Sequence, residues 1–319
     1  MTWFLLTFSF LLAPAAYSGE MKPETKQEMK QETKEVSNLE LLPSAVHREA
    51  LMEDTPFSSV SLSDTGDVWL AGKHNLWKWN PAQGLLKKME IPSEGLARVM
   101  ALTADSAVFQ TSKKVYMILD RPVSIKEIYS GSNAAIDMTR DGSLAVGSKQ
   151  SFLLTQDLKL KTSLSMDLAG CERISLGQNG QIFCRIKGDI FLARKDLGKM
   201  KSILKTKSEI KAFAAMGDAL VVASDRAVWA VGADGTLLKT IIPPNGKKIA
   251  ASFLDPHHHA FLFNDKLFEV NPLETKTKIT TWLSAPQTKV VDDMSYKNGR
   301  IGLILDGFPY IFQLEQIDK

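Results

Sequence analysis

The strongest constraint on the fold of this chain is a short apolar segment, often aromatic, that recurs seven times. Its copies occupy positions 76–79, 115–118, 152–154, 190–192, 228–231, 267–270 and 309–312, so that successive copies begin 37 to 42 residues apart. A fixed period of this length is typical of repeat architectures such as solenoids and propellers. The chain therefore consists largely of one structural unit used seven times.

Each repeat carries signals for four antiparallel strands. Turn sequences that tolerate positive φ, such as Asp64-Thr65-Gly66, Asn179-Gly180 and Asn298-Gly299, separate the first strand from the second. The recurring segment forms the third strand. The fourth alternates polar and apolar residues, as an exposed outer edge does. We predict an all-β fold, a seven-bladed β-propeller with four-stranded antiparallel blades. A β-sandwich with accidental spacing is the alternative.

The N-terminal end of the predicted domain, residues 44–319, bears on how the ring closes. The chain ends soon after the third strand of the seventh repeat, whereas Ser44 to Met52 precedes the first strand of the first repeat. This is the place that a fourth strand occupies in the other repeats. We predict that Ser44 to Met52 is an N-terminal strand that completes the seventh blade and closes the ring.

The clearest repeat resembles the two-component-regulator-type propeller repeats of exported bacterial proteins. It reads Gly66-Asp67-Val68-Trp69-Leu70-Ala71-Gly72, followed by Leu76-Trp77-Lys78-Trp79-Asn80-Pro81. The third repeat retains Asp141-Gly142-Ser143-Leu144-Ala145-Val146-Gly147. The signature motifs of WD40 and quinoprotein propellers are absent. The resemblance implies the propeller fold and a tendency to bind partners, and it implies no particular activity.

Two segments precede the repeats. Residues 1–18 combine an apolar run, Trp3 to Leu12, with small residues before Gly19, a pattern typical of a secretory signal peptide. An uncleaved membrane anchor is the alternative. Residues 19–43 are rich in Lys and Glu and poor in apolar residues, which predicts a disordered tether. We expect a periplasmic or secreted protein without a lipoprotein cysteine, and without a transmembrane segment in the mature chain.

Composition excludes several classes of function. The net charge of +3 in 319 residues is too small and too evenly spread for a nucleic-acid-binding face. No nucleophile elbow, phosphate-binding loop or dense calcium loop occurs in the sequence. We therefore expect no cofactor, no bound metal and no enzymatic activity. His257-His258-His259 is interpreted as a solvated loop, with adventitious metal binding as the alternative.

The two cysteines, Cys171 and Cys184, flank one predicted hairpin. A turn centred on Asn179-Gly180 would place Cys184 opposite Ser175, and Cys171 four residues beyond. A regular hairpin would keep the two thiols too far apart for a disulfide. Free thiols are the favoured interpretation, and a disulfide stays open because export permits oxidation.

A positional pattern of basic residues suggests a binding surface. Six of the seven loops between second and third strands carry a base, and in a propeller all of these loops emerge on one rim. We call this set the basic rim, and its members are Lys73, His74, Lys113, Lys114, Lys149, Arg185, Lys187, Arg226 and Lys266. It predicts a protein partner at the cell envelope, acidic in character. A merely solvated surface is the alternative.

Polar residues also fall on predicted inner strands, which line the central channel of a propeller. They are Asp137, Arg173, Asp292 and Asp293. The favoured hypothesis for the chain is a monomeric, non-enzymatic scaffold for protein–protein interaction. The alternatives are a propeller hydrolase or lyase with a central-channel site that uses these carboxylates, and a binder of an anionic glycan or lipid headgroup.

Overall fold

In the computed structural model, the chain forms seven antiparallel blades arranged in a ring. The structure describes residues 30–35, 40–41, 45–91, 96–111, 113–131, 134–138, 143–148, 151–154, 160–164, 167–168, 170–177, 181–193, 200–217, 219–254, 260–264, 266–274, 278–283 and 291–314. The predicted all-β, seven-bladed propeller is confirmed. Blades 1 to 6 have four consecutive strands each, and blade 7 has three.

Within a blade, the strands follow one another from the channel outwards. Those of blades 1 to 4 are Ser59–Leu62, Val68–Ala71, Asn75–Asn80 and Leu85–Glu90; Leu96–Thr103, Ser106–Thr111, Lys114–Asp120 and Val123–Ser130; Ala135–Met138, Leu144–Gly147, Ser151–Leu154 and Leu160–Leu164; Arg173–Leu176, Ile182–Ile186, Asp189–Ala193 and Lys201–Leu204. Those of blades 5 to 7 are Ile210–Met216, Ala219–Ser224, Val228–Gly232 and Leu237–Ile241; Ala251–Leu254, Ala260–Phe263, Leu267–Val270 and Lys278–Leu283; Val291–Lys297, Arg300–Leu305 and Phe308–Gln313.

The hydrophobic core lies between neighbouring blades. Second strands such as Val68–Ala71 and Ala219–Ser224 are buried along their whole length, because each is covered by a blade on both faces. Outer strands such as Leu85–Glu90 are mostly exposed. Trp69 of blade 1 packs in one cluster with Phe109 of blade 2. This stacking explains why second and third strands read as nearly continuous apolar runs.

Side chains of the inner strands connect several neighbouring blades by hydrogen bonds. Ser59 Oγ accepts from Val99 N at 3.3 Å, and Ser61 Oγ accepts from Ala101 N at 2.9 Å. At the junction of blades 7 and 1, Ser295 Oγ accepts from Leu62 N at 3.2 Å. Ser59 and Ser61 thus meet Val99 and Ala101 in the same chain order, which shows that the two inner strands run in the same direction.

Ser44 to Met52 is not the predicted closing strand. Ala45–Met52 is an α-helix, the only one among the described residues. Its sequence, AVHREALM, is rich in strong helix formers and has one β-branched residue, and one of its side chains, Leu51, is completely buried. Leu51 packs against residues of blades 1 and 7, including Val60 and Ile304. The helix therefore covers the junction between the first and last blades.

The segment ahead of the helix also differs from a tether without secondary structure. Lys30–Glu35 pairs in parallel with Lys278–Leu283, the outer strand of blade 6. Glu40–Leu41 pairs antiparallel with Phe308–Gln313 of blade 7. An outer strand offers unpaired backbone groups whatever the side chains of the added strand are, which explains why a polar segment can pair there. The predicted signal peptide, residues 1–18, lies outside the described residues.

Cys171 and Cys184 form a disulfide, with their Cα atoms 5.5 Å apart. The interpretation as free thiols is wrong. Cys184 pairs with Ile174 rather than Ser175, and the first strand of blade 4 begins only at Arg173. Before it, a turn closed by the Cys171 N to Leu168 O hydrogen bond (3.1 Å) redirects the chain. A regular hairpin extended backwards from the turn misses this bend.

Candidate functional site

The loops of the basic rim and the first residues of the inner strands lie on the same face of the ring. In blade 4, Arg173 at the start of the first strand pairs with Arg185 near the end of the second. The loop after the second strand, Lys187 and Gly188, therefore emerges beside the start of the first strand. Since neighbouring inner strands run in the same direction, this holds around the ring. We call the face with these loops the upper face.

The upper face carries exposed cationic side chains from five blades. These are Lys73 on blade 1, Lys113 on blade 2, Lys187 on blade 4, Arg226 on blade 5 and Lys266 on blade 6. His74 is exposed next to Lys73. Lys149 and the run His257-His258-His259 lie outside the described residues. The charges are thus distributed around the rim rather than gathered at one blade.

A buried carboxylate fixes the loop that presents Lys73 and His74. Asp54 Oδ1 accepts from His74 N at 2.7 Å, and Asp54 Oδ2 accepts from Asn75 N at 2.9 Å and from Trp77 Nε1 at 2.7 Å. The Asp54 carbonyl accepts from Lys73 N at 2.9 Å. The loop backbone is therefore held from within the protein, and the side chains of Lys73 and His74 are left in solvent.

Other rim loops are held by local hydrogen bonds of the same kind. Lys187 has a positive φ of 49°, as the first residue of a tight hairpin, and its N donates to Glu172 Oε1 at 3.1 Å. Arg226 N donates to Ser224 Oγ at 3.2 Å. Lys266 N donates to Asn264 Oδ1 at 3.0 Å. These contacts order the main chain and do not use the cationic groups.

Two members of the predicted rim are paired with acidic residues instead. Lys114 Nζ lies 2.6 Å from Glu127 Oε2, and its hydrogen bond to that carboxylate raises the pKa of Lys114. Arg185 Nε lies 2.8 Å from Glu172 Oε2, and Arg185 Nη1 donates to Ile210 O of blade 5 at 3.1 Å. Both residues contribute less free positive charge to the rim than the sequence pattern alone implies.

The inner-strand carboxylates bind backbone groups of neighbouring elements. Asp293 Oδ2 accepts from Ser59 Oγ at 2.8 Å and from Val60 N at 2.9 Å, joining blade 7 to blade 1. Asp137 Oδ2 accepts from Leu176 N at 3.4 Å, joining blade 3 to blade 4. Asp292, in contrast, is exposed and accepts from Gly307 N at 2.9 Å within its own blade. Of the two adjacent aspartates of blade 7, Asp293 therefore bonds to the next blade and Asp292 bonds within its own.

Three arginines lie near the upper ends of the strands of blades 2 and 4: Arg98, Arg173 and Arg185. Repulsion by Arg98 of blade 2 is the largest influence on Arg173, and together with burial and the nearby Arg185 it lowers the pKa of Arg173 to about 10. Asp293 and Asp137 act in the opposite direction and are outweighed. Charges from blades 2, 3 and 7 all reach this guanidinium. Blades 2 and 7 do not adjoin blade 4 in the ring, so their charges act on Arg173 across the central channel.

Sequence reasoning identified Arg173 as a channel residue and missed Arg98. Arg98 pairs with Gln110 in blade 2 as Arg173 pairs with Arg185 in blade 4. Gln110 Nε2 and Arg185 Nη1 each donate to a carbonyl at the start of the next blade, those of Ala134 and Ile210. Alignment of the inner strands by their cross-strand partners would have found Arg98.

The described residues contain no group of three His, Cys, Asp or Glu side chains that could hold a metal ion. Over the same part of the chain, no helix has the length and apolar character needed to cross a bilayer.

Comparison with known proteins supports the fold. A catalytically inactive virginiamycin B lyase from Staphylococcus aureus with quinupristin is similar to this chain with a TM-score of 0.61 at 15% identity, over 82% of this chain and 96% of the lyase chain. A chain of the mitotic checkpoint complex has a TM-score of 0.61 at 13% identity, over 81% and 89%. No protein-family model and no curated protein matches the sequence. At these identities the likeness extends to the propeller architecture alone.

Proposed function

We propose that this chain is a non-enzymatic β-propeller scaffold that captures an acidic protein partner at the cell envelope through its upper face. The observation that carries the proposal is the set of exposed cationic side chains at equivalent loop positions of five blades: Lys73, Lys113, Lys187, Arg226 and Lys266. Charges spread over one face raise the local concentration of an acidic partner and speed its encounter with the protein.

The fixed backbone of the rim loops favours a binding role. Lys73, Lys187, Arg226 and Lys266 each have their main-chain N–H bonded to a fixed acceptor, at 2.9 to 3.2 Å. A partner that binds to ordered loops pays less conformational entropy than one that must order them. The long cationic side chains remain free to adapt to different carboxylate positions. The rim therefore combines an ordered loop backbone with cationic side chains that can adapt to a partner.

The location at the envelope rests on two features. One is the apolar run with small residues before Gly19, which predicts export. The other is the disulfide Cys171–Cys184, because disulfides persist mainly in oxidising compartments. If export is correct, mass spectrometry of the native protein will find a mature chain that begins near Gly19. Recovery of a chain that still begins at Met1 would contradict it.

An enzyme of the hydrolase or lyase type is the second candidate, and the contacts of the inner-strand carboxylates count against it. Asp137 and Asp293 are both engaged by main-chain N–H groups of the next blade. A general acid or base must be able to reach a substrate proton, and these carboxylates are occupied in holding the ring together.

The rim is tested by charge reversal with a matched control. The rim variant replaces Lys73, Lys113 and Lys187 by Glu. The control replaces the exposed outer-strand residues Lys88, Lys126 and Lys201 by Glu, so that the total charge changes equally. Capture of envelope proteins by each purified variant is quantified at about 50 mM and about 300 mM salt, concentrations between which screening changes strongly.

We expect the rim variant to lose most of the partner that the unmodified protein captures at low salt, and to show little salt dependence. The control should capture the partner as the unmodified protein does. Circular dichroism should show the same melting temperature for all three proteins, because exposed substitutions usually change stability by less than about 0.5 kcal/mol each. Equal capture by the rim variant and the control would overturn the proposal.

A further inference from the structure

We propose that the upper mouth of the central channel is a binding site for a small oxyanion, a carboxylate or a phosphate, with Arg173 as its main ligand and Arg98 as its second. This site goes beyond the rim, since it lies inside the ring and would take a small molecule rather than a protein surface. It is carried by the equivalent placement of two arginines on the inner strands of blades 2 and 4. Arg98 lies opposite Gln110 and Arg173 opposite Arg185. Arg98 Nη1 also reaches Ile136 O of blade 3, the blade between them.

The state of Arg173 is the first step of the argument. Within the part of the chain that the structure describes, its guanidinium has no carboxylate at ion-pair distance and makes no hydrogen bond. A guanidinium carries five N–H donors in a planar fork that matches the two oxygens of a carboxylate or phosphate. Arg173 is only partly exposed. Its donor groups are therefore available towards the channel and lack a protein acceptor.

The neighbouring arginines differ in how many of their N–H donors are already bonded to the protein. Arg98 Nη1 donates to Ile136 O at 3.0 Å, which fixes its position and leaves its other donors. Arg185 is held on both sides, by Glu172 at 2.8 Å and by Ile210 O at 3.1 Å. Arg185 thus adds positive potential without being a ligand. Arg98 can complete a second set of hydrogen bonds to an anion that Arg173 holds.

The Arg173 guanidinium has no ion-paired carboxylate among the described residues. The aspartates that face it, Asp137 and Asp293, each have an oxygen engaged by an adjacent blade. Their attraction does not offset burial and the repulsion among the arginines, since the net effect on the Arg173 pKa is a decrease. A partly desolvated guanidinium without a directly bonded counter-charge is unfavourable. An oxyanion would supply that counter-charge.

The disulfide supports the geometry of this site. Cys171 and Cys184 lie within two residues of Arg173 and Arg185, and their bond links the start of the first strand of blade 4 to its second strand. Both arginines are therefore held on a cross-linked strand pair. A preorganised pair of cationic groups loses less freedom on binding than one on mobile loops.

The test is calorimetric titration of the full chain with inorganic phosphate and, separately, with succinate. The two arms distinguish a phosphate site from a carboxylate site. The variants are Arg173→Gln, Arg173→Lys and Asp293→Asn, with Arg226→Gln on the rim as the matched control. Asn at position 293 keeps an oxygen acceptor for Ser59 and Val60 and removes the negative charge that competes with the ligand.

We expect at least one of the two anions to bind with one-to-one stoichiometry. Arg173→Gln should weaken its affinity at least tenfold, and Arg173→Lys less, because the ammonium keeps the charge and loses the fork. Asp293→Asn should strengthen affinity several-fold, a gain that a general loss of structure could not produce. Arg226→Gln should leave affinity unchanged. Equal binding by Arg173→Gln and the unmodified protein, or binding of neither anion at about 10 mM, would overturn the proposal.

This result is separable from the fate of the proposed scaffold function. Arg173→Gln should capture the envelope partner as well as the unmodified protein does, because Arg173 lies inside the channel and the rim charges are unchanged. The charge-reversed rim variant should still bind the anion, with an affinity reduced only by the weaker long-range field. A negative result for the anion site therefore does not contradict the scaffold function, and a negative result for the scaffold function does not contradict the anion site.

Discussion

Lys78 Nζ lies 2.8 Å from Asp120 Oδ2, and this ion pair joins the third strand of blade 1 to that of blade 2. Both side chains are almost completely buried, with 9% and 5% of their surfaces exposed. Lys78 also binds Asp105 at 3.0 Å and lies 5.5 Å from the centre of the Trp69 ring. Lys87 binds the other oxygen of Asp120. The ion pair is part of the contact between two blades.

Removing one partner of this pair should destabilise the ring. Asp120→Asn leaves a buried ammonium without its main counter-charge, for which we expect a loss of about 3–5 kcal/mol in the free energy of unfolding. Asp105→Asn is the control, because Asp105 is 54% exposed, and should cost less than about 1 kcal/mol. Urea unfolding followed by tryptophan fluorescence measures both. A smaller loss for Asp120→Asn than for Asp105→Asn would contradict a stabilising role of the buried pair.

The same pair predicts a pH dependence of stability. Burial alone would raise the pKa of Asp120, but the hydrogen bonds and charges of Lys78 and Lys87 outweigh it and lower that pKa. Burial would lower the pKa of Lys78, but Asp120 and Asp105 outweigh it and raise that pKa. The contribution of Asp120 is present above its unfolded pKa of about 3.9 and is lost as the pH falls through the lower folded value.

For Lys78 the sign is opposite. Its contribution is complete below the unfolded pKa of about 10.4 and is lost as the pH rises through the higher folded value. The stability difference between the unmodified protein and Lys78→Met/Asp120→Leu should therefore be flat between about pH 5 and pH 9 and change outside that window. Melting temperatures across this range measure it. A difference that varies strongly near pH 7 would show that other groups control the effect.

Loss of the disulfide should destabilise blade 4. The bond closes a loop with a sequence separation of 13 residues, and we expect Cys171→Ser/Cys184→Ser to cost about 3 kcal/mol, in the range for loops of this size. Thermal unfolding measures the change. The matched comparison is the unmodified protein reduced while unfolded, because both cysteines are buried, and then refolded in strong reductant. It should melt at the temperature of the double variant. If the double variant melts at the temperature of the oxidised protein, the disulfide does not contribute to stability.

The helix Ala45–Met52 offers adjacent residues with opposite environments. Leu51 is completely buried between blades 1 and 7, whereas Met52 is 65% exposed. Leu51→Ala should cost about 2–5 kcal/mol through lost contacts and the cavity that it leaves. Met52→Ala should cost less than about 0.5 kcal/mol. Equal urea midpoints for the two variants would show that the helix does not hold the junction of the ring.

The period of the apolar segments was sufficient to predict the architecture, because every blade uses the same local rules. Apolar second and third strands, outer strands of alternating polarity and turn residues such as Asn298-Gly299 are all encoded within about 38 consecutive residues. Asn298 and Gly299 adopt φ values of 48° and 75° in a two-residue hairpin, as their types predict. Local patterns repeated seven times leave few alternatives.

Contacts between distant residues decided the rest. The helix Ala45–Met52 takes its place from the burial of Leu51 against blades 1 and 7, and the disulfide depends on a bend before Arg173. Arg98 and Arg173 are 75 residues apart in sequence and take equivalent positions around one channel only because blades 2 and 4 belong to the same ring. Sequence patterns predict which face of a strand is buried and where a turn forms, since both depend on residues that are close together in the sequence. Which charges meet in the channel depends on closure of the ring, which only the tertiary structure supplies.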